Sequence, residues 1–216
     1  MRRQIVLALV LLTGFTLVLG CAGTQGPTPE SAAPGSVKLL ADYPDHTFNP
    51  KTYIQGMEAA GHHLYLWQDQ SADLSSYDTF TFNQFSTRHL PKLTKEQRSV
   101  FNYKTFAKKA SYTFEQSLEV SDSAGPSTLI LKGALVECDP GSRAARFLVG
   151  FGAGKSAGAI ACEVYKPGAK EPIMRIYARD TGSMGAFGGD SVAMLSHIFE
   201  QVSLRVSSAL ETRVGG

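Results

Sequence analysis

Apolar and polar positions follow two different periods along the middle of the chain. In residues 77–83 apolar and polar side chains alternate, which predicts a half-buried strand. From Thr94 to about Glu119 apolar residues recur every three or four positions, which predicts an amphipathic helix. Thr94 and Gln97 have the spacing of a capping box at the start of this helix. The apolar stripe consists of Val100, Tyr103, Ala107, Ala110, Phe114 and Leu118.

Three more strands and a second helix are predicted downstream. Residues 128–138 and 157–165 are mostly apolar and flank a glycine-rich stretch. Residues 172–180 follow a turn signal at 166–168, so we expect them to form a hairpin with 157–165. Asp190 is placed to cap the N-terminus of the final helix. The stripe of that helix is Val192, Leu195, Phe199, Val202, Val206 and Ala209.

The order of these elements predicts the fold class. A strand, a helix, three strands and a helix are most simply packed as one α+β domain, with a mainly antiparallel sheet and two amphipathic helices on one face. The composition, 43% hydrophobic and 19% charged over 216 residues, is that of a globular protein. We assign residues 37–216 to this single domain. Its first part, residues 37–74, has little periodicity, with short strand candidates at 37–40 and 62–67.

The N-terminus predicts export. Arg2 and Arg3 precede an apolar run over residues 5–19. At about 1.5 Å per residue this run is roughly 22 Å long as a helix, short of the roughly 30 Å of a bilayer core. The pattern is that of a secretory signal peptide over residues 1–20.

The end of the apolar run, VLGC at residues 18–21, resembles the lipobox of bacterial lipoproteins. The resemblance implies that the signal is cut before Cys21 and that Cys21 carries the lipid. Ala22 stands where an aspartate would favour retention at the inner membrane. We therefore expect a lipid-anchored protein of the outer membrane that faces the periplasm. Ordinary secretion with an incidental cysteine is the alternative.

Composition and charge beyond Cys21 separate a tether from the domain. Residues 22–36 consist mainly of Gly, Pro, Ser, Thr and Ala with one charge, and such a stretch is typical of a flexible linker. Without the two arginines of the signal peptide, 19 basic residues balance 19 acidic ones. This balance provides no basic field for nucleic acid, which is not expected as a partner.

The glycine-rich segment at residues 141–156 is the most distinctive stretch of the chain. Gly154, Lys155 and Ser156 look like the end of a phosphate-binding loop, but position 149 is a valine where that motif has glycine. The strand predicted after it disfavours the same interpretation, since phosphate loops are followed by a helix. No nucleotide or other cofactor is expected.

Two further interpretations of this segment stay open. Residues 154–158 match the G-x-S-x-G pattern of a nucleophile elbow. Asp180 or Asp190, followed by His197, would complete a hydrolase triad with Ser156. An elbow needs a strand before the serine and a helix after it, and neither is predicted. The other interpretation is a structural or binding role. Glycines at alternate positions allow another backbone or an aromatic side chain to approach closely. The two arginines of the segment would contact an anionic group or pair with carboxylates. The residues of this binding candidate are Arg143, Arg146, Gly150, Gly152 and Gly154.

The run GSRAARFLVGFGAGKS, with the two following strands and the terminal helix, resembles a family of bacterial lipoproteins known as domain of unknown function 4410. The resemblance extends from about Ser75 to Leu210. Because the family has no established activity, it implies fold and location and leaves mechanism open. The matching positions are Gly141, Arg143, Arg146, Gly150, Gly152, Gly154, Asp180 and Gly182.

Cys138 and Cys162 are symmetric about residue 150, the middle of the glycine-rich connection. Two strands paired about that residue would place the cysteines opposite each other, at about 5 Å between Cα atoms. An exported domain meets oxidants, so a disulfide is expected. Two buried free thiols are the alternative. Adjacent histidines, as at His62 and His63, point to opposite faces of a strand, so no metal site is predicted there.

Taken with the absence of a convincing catalytic set, these features predict a non-enzymatic binding or accessory module in cell-envelope assembly or maintenance, with an envelope protein as partner. A small serine hydrolase using Ser156 is one alternative. The other is a carrier of an apolar ligand, with a groove between sheet and helices lined by Phe80, Phe82 and Phe114.

Overall fold

The computed structural model describes residues 38–83, 85–91, 93–102, 104, 106–108, 110, 119–142, 154–183 and 190–214. The predictions for the signal peptide, Cys21 and the tether lie outside these residues. Those for Arg143, Arg146, Gly150 and Gly152 also lie outside them, as do Tyr103, Phe114 and Leu118 of the predicted helix.

Within the described residues, seven strands form one sheet in the order β1-β2-β7-β6-β5-β3-β4. All neighbours are antiparallel except β3, which runs parallel to both β4 and β5. The predicted α+β class with a mainly antiparallel sheet is confirmed. The strands are β1 (Glu58–Gly61), β2 (Leu64–Gln68), β3 (Thr79–Phe82), β4 (Glu119–Ser121), β5 (Thr128–Asp139), β6 (Ser156–Tyr165) and β7 (Met174–Gly182).

The centre of the sheet is the predicted hairpin, β6 with β7. Every residue of β6 is buried, because β5 and β7 flank the strand and both of its faces are covered. The pairing runs from Ser156 opposite Gly182 to Val164 opposite Met174. Alternation along these strands therefore assigns each side chain to one of two buried faces.

The terminal helix, α3 (Ser191–Val214), covers one face of the sheet. The Asp190 carboxylate accepts a hydrogen bond from the Val192 amide at 2.9 Å, so Asp190 caps the helix as predicted. No helix in the described ranges is long and apolar enough to cross a membrane. The buried side chains of α3 are Leu195, Ile198, Phe199, Val202, Ser203, Val206, Ser207, Leu210 and Val214.

The helix predicted from Thr94 to Glu119 is wrong in its extent. Its capping box is confirmed at α2 (Lys95–Ser99), where the Thr94 hydroxyl and the Gln97 side chain each accept the other residue's amide. The helix ends at Ser99 because Asn102 starts a new one: its side chain accepts the Lys104 amide at 2.9 Å. Residues 104, 106–108 and 110 are helical again, and position 119 begins β4.

Aromatic rings fill the space between this second helical segment, α3 and the sheet. The Phe106 ring lies 5.4 Å from Phe82 and 5.2 Å from Phe85, measured between centroids. The Phe101 ring contacts Phe85 at 5.0 Å and Phe199 of α3 at 5.4 Å. The second helical segment and α3 therefore pack on the same face of the sheet, as predicted.

The opposite face is covered by residues 38–57, which we call the N-terminal arm. The arm contains a short 3-10 turn (Leu40–Asp42) and a single-turn helix, α1 (Pro50–Tyr53), which Asn49 caps. Its apolar side chains pack on small residues of β5 and β6 and on Tyr177 of β7. The buried members of this second core are Leu40, Tyr43, Tyr53, Ala134, Ala159, Ala161 and Tyr177.

Gly133 of β5 makes room for the aromatic cluster, and this generates a first prediction. A Cβ atom at Gly133 would lie 2.4 Å from the Phe85 ring, which is itself enclosed by Phe101 and Phe106. We expect Gly133→Ala to lower the free energy of unfolding by about 1–3 kcal/mol, measured by urea denaturation. Gly61→Ala is the control, since its nearest atoms lie 3.7 Å away and its cost should stay below about 0.5 kcal/mol. Equal losses would contradict this packing.

Candidate functional site

The two ends of the glycine-rich segment meet in a narrow neck between β5 and β6. Gly141 has a φ of 73° and Gly154 a φ of 65°, values that favour glycine. A Cβ atom at Gly141 would lie 2.3 Å from the Gly154 carbonyl oxygen. The Asp139 carboxylate accepts the Gly141 amide at 2.8 Å, and the Ser156 hydroxyl donates to the Pro140 carbonyl at 2.8 Å. The backbone at Gly141 can approach the Gly154 carbonyl this closely because position 141 has no side chain.

Ser156 is not at a nucleophile elbow. It is the first residue of β6, so a strand follows it where the elbow requires a helix. The residue is 0% exposed, and its one donor proton is taken by the Pro140 carbonyl. Asp180 is held by Arg205 at 3.2 Å, and His197 is exposed on α3. The described contacts do not join these three side chains.

The expected disulfide between Cys138 and Cys162 is wrong. Their strands do pair antiparallel, but Cys138 lies opposite Gly158 and Cys162 opposite Gly133. Position 158 is four residues from Cys162, about 13 Å along the strand, which is beyond disulfide reach. Both cysteines are free. Burial raises the pKa of the Cys138 thiol to about 11 and that of Cys162 further, so both stay protonated.

His62 and His63 form the tight turn between β1 and β2, so the strand candidate at 62–67 begins two residues late, at Leu64. His63 has a positive φ of 51°, as turn residues do. Among the described residues no group of histidine, cysteine or acidic side chains could hold a metal ion.

Of the residues proposed to line an apolar groove, Phe80 and Phe82 are described. Phe80 is completely buried, and the Phe82 ring packs against Phe106. Phe82 also lines a depression of about 440 Å³ between β4 and the helical residues 104, 107 and 108. Phe114, the third residue proposed to line the groove, lies outside the described residues.

A row of charged side chains crosses the sheet beneath the N-terminal arm. Lys132 of β5, Glu163 of β6 and Arg175 of β7 lie directly opposite one another in register. Glu163 is 2% and Arg175 1% exposed. Charged groups this deeply buried require specific partners. The sequence signal was present, because Glu163 is the one charged residue of β6 and Arg175 lies between the apolar Met174 and Ile176 of β7. The register that places Glu163 opposite Arg175 belongs to the fold.

The partners of the Glu163 carboxylate connect the arm to the sheet. One oxygen accepts the Leu40 amide at 2.7 Å, and the other accepts the Tyr165 hydroxyl at 2.6 Å. Burial raises the pKa of Glu163, while these two bonds and the Arg175 charge act in the opposite direction. The first turn of the arm is thereby held to the centre of the sheet.

Arg175 holds the second half of the arm. Its guanidinium donates to the Tyr53 carbonyl at the end of α1 and lies 4.6 Å from the centroid of the Tyr53 ring. The Tyr53 hydroxyl in turn donates to the Cys162 carbonyl at 3.1 Å. Arg175 and Glu163 therefore each fix one part of the arm to the sheet.

A cleft of about 380 Å³ opens beside this row, between the arm, β5 and the residues after β3. Arg88 and Lys132 are the cations that line it, and its buried titratable groups are His89, Glu163 and Tyr165. Arg88 donates to the Leu40 carbonyl at 2.8 Å and so fixes the rim of the cleft. Burial, with the neighbouring Arg88 charge, lowers the pKa of His89, so its imidazole is neutral near pH 7.

Comparison with known proteins gives one family match. Residues 105–192 match the family model described as domain of unknown function (DUF4410). The match lies inside the span of resemblance found from the sequence, and it includes the neck and the charged row. No curated protein matches the chain.

The chain is also similar to solved structures. One is a single-residue variant of the PelC dodecamer from Paraburkholderia phytofirmans, with 14% identity and a TM-score of 0.41, covering 68% of this chain and 97% of that one. Another PelC dodecamer structure from the same organism has 14% identity and a TM-score of 0.39, covering 66% and 96%. The third is protein XCC0632 from Xanthomonas campestris, DUF330, with 13% identity and a TM-score of 0.36, covering 67% and 86%.

The neck generates a second prediction, with an internal control. Gly141 and Gly168 have nearly equal φ values, 73° and 74°, but a Cβ atom at Gly168 would meet nothing within 4 Å. Alanine at either site costs about 1 kcal/mol of backbone strain. Gly141→Ala also drives a Cβ atom into backbone, so we expect it to cost at least about 1 kcal/mol more than Gly168→Ala in urea denaturation. Equal costs would show that the two ends of the segment do not meet there.

Burial of neutral His89 generates a third prediction. Its folded-state pKa lies below the usual 6.5, so it contributes stability that is present above pH 6.5 and lost as the pH falls through the folded pKa. The free energy of unfolding of the protein relative to His89→Gln should therefore rise from about pH 5 to about pH 7. Arg88, Asp45 and His46 are the charged groups that act on this imidazole. The matched control is His197→Gln, which removes a histidine exposed on α3. A difference that falls with pH would contradict the burial of a neutral ring.

Proposed function

We propose that this protein is a lipoprotein of the outer membrane, anchored through Cys21 and facing the periplasm, that works by binding rather than by catalysis. It would serve as an accessory module in envelope assembly or maintenance. The observation that carries the proposal is the motif VLGC at residues 18–21, directly after the cationic start and apolar run of a signal peptide. Lipoprotein processing attaches several acyl chains at such a cysteine, and several chains give the stable anchoring that one chain does not.

The tether supports a role close to the membrane. The 15 residues from 22 to 36 form a chain whose root-mean-square length is roughly 20 Å if it is flexible. A domain on such a tether samples partners within a few nanometres of the lipid surface. The effective concentration of an envelope partner there is high, which favours a binding role with modest intrinsic affinity.

Binding is favoured over catalysis by the state of the chemical groups. Ser156, the candidate nucleophile, is buried and donates its proton to a backbone carbonyl. Asp180 is engaged with Arg205 rather than with an imidazole. From the sequence we assign partner contact to Arg143 and Arg146. Both belong to the glycine-rich segment, whose two ends meet in the neck between β5 and β6.

The anchor generates a fourth prediction. Intact mass spectrometry of the protein extracted from membranes should give the mass of residues 21–216 plus acyl chains. Cys21→Ser should abolish both the added mass and the membrane fractionation. The matched control is Cys138→Ser, a cysteine of the domain, which should leave both unchanged.

Two results would contradict the proposal. An unacylated chain that starts elsewhere than Cys21 would remove the anchor and the location. Covalent labelling of the protein by a fluorophosphonate probe, lost in Ser156→Ala, would instead show that the domain is a serine hydrolase.

A further inference from the structure

The cleft beside the charged row lies next to an irregularity in the pairing of the chain after β3 with β5. Phe82 lies opposite Leu131, but the next bridge joins Ser86 to Ala134, so four residues on one side face three on the other. The Ser86 amide nevertheless bonds the Gly133 carbonyl at 2.9 Å, so the bulge is fixed at both ends. The space of about 380 Å³ beside it is within the range of small-molecule sites.

The carboxylate that lines the cleft, that of Glu163, is already engaged by protein groups. Each oxygen of the Glu163 carboxylate accepts one hydrogen bond, from the Leu40 amide and from the Tyr165 hydroxyl, and Arg175 lies opposite in register. The Leu40 carbonyl at the rim accepts from Arg88. Glu163 is enclosed at 2% exposure, so its charge is directed into the protein and not toward a ligand.

The donor groups of the cleft have capacity left. The Lys132 ammonium lies 4.1 Å from the centroid of the Tyr165 ring, and both residues line the cleft. No carboxylate within the described ranges forms an ion pair with Lys132. The Nη2 atom of Arg88 donates to two backbone carbonyls, and the Asp45 carboxylate lies 3.8 Å from its Nη1 atom. A guanidinium carries five donor protons, so this leaves donors over.

His89 adds a third donor of defined tautomer. The ring is 5% exposed, lines the cleft, and packs against the rings of Tyr43 and Phe48. Its Nδ1 atom is enclosed and has no hydrogen-bond partner in the described part of the chain. An enclosed N–H without a partner is costlier than an enclosed lone pair, so we assign the proton to Nε2. Nε2 is then the nitrogen through which the imidazole donates to a molecule in the cleft.

We propose that this cleft binds a small oxyanion, a carboxylate or a phosphate group, through Lys132, Arg88 and His89. Lys132, Arg88 and His89 supply three donors, two of them positively charged, to a space whose lining carboxylate, Glu163, is engaged by protein groups. An anion with several oxygens satisfies all three donors. The site is independent of the lipid anchor and of the glycine-rich segment, so it goes beyond the binding function proposed above. The oxyanion is either a free solute or the headgroup of a lipid.

The test is a titration of the full chain, labelled with ¹⁵N in histidine, which gives five imidazoles to follow. Citrate and inorganic phosphate are the soluble probes, at constant ionic strength and near neutral pH. We expect a saturable shift of one imidazole, absent in His89→Gln. Lys132→Met should weaken the apparent affinity by about tenfold or more, the effect of one charge-assisted hydrogen bond. Lys166→Met is the matched control, because Lys166 also lies over a tyrosine ring, that of Tyr77, outside the cleft.

The outcomes distinguish a free solute from a lipid headgroup, and a failure of the cleft proposal from a failure of the lipoprotein proposal. Saturation by citrate or phosphate supports a free solute, whereas saturation only by vesicles with phosphatidylglycerol, lost in Lys132→Met, supports a headgroup. A shift that grows linearly with concentration, or an equal loss in Lys132→Met and Lys166→Met, would overturn the proposal. These readouts do not depend on acylation at Cys21, so the site can fail while the lipoprotein proposal stands, and the reverse.

Discussion

The buried carboxylate of Glu163 is the group on which the arrangement of the second face depends. A charge taken out of water costs several kcal/mol unless other groups replace its hydration. Here the replacements come from three places: the Leu40 amide of the N-terminal arm, the Tyr165 hydroxyl of the same strand and the Arg175 charge of the next. Because the arm supplies one of these groups, its departure from the sheet would leave the Glu163 carboxylate without the hydrogen bond from the Leu40 amide.

The two faces of the sheet are built by different chemistry. One face is closed by phenylalanine rings and the apolar stripe of α3, and such packing depends on volume. The other uses small alanines, two tyrosines of the arm and charged residues in register, and depends on hydrogen-bond geometry as well. Strand alternation separates the two sets, so that Cys162 and Glu163, adjacent in sequence, serve different cores. This division places the cleft on the second face.

The pairing of β5 with β6 connects the sheet to the glycine-rich segment. The register of the β5–β6 pairing shifts between Leu135 and Glu137, near the end of β5. Beyond it, Glu137 and Arg179 meet across the small Ala159, with 2.6 and 2.9 Å hydrogen bonds. The neck follows directly, with Gly141 against Gly154. The segment is therefore held at its ends by a rigid part of the sheet, a favourable arrangement for a binding loop.

Local patterns in the sequence determined the elements with strong periodicity and clear caps. The hairpin of β6 and β7, the cap at Asp190, the stripe of α3 and the capping box at Thr94 all depend on residues close together in the chain, and each is found. The same locality explains the error at Asn102, where one capping side chain interrupts a pattern that apolar spacing alone would continue. The N-terminal motif with Cys21 is also a local pattern, and the lipid anchor that it predicts stays a prediction.

Only the tertiary structure decided which distant residues meet. The register of β5 and β6 keeps Cys138 and Cys162 apart, and no local pattern reports a shift of four residues between two long strands. The docking of the arm, which has almost no periodicity, is decided by Glu163 and Arg175 at more than 100 positions' distance along the chain. The cleft of Arg88, His89 and Lys132 arises from a bulge and a strand pairing. Such features depend on the geometry of several strands at once, and a sequence shows each contributor only by itself.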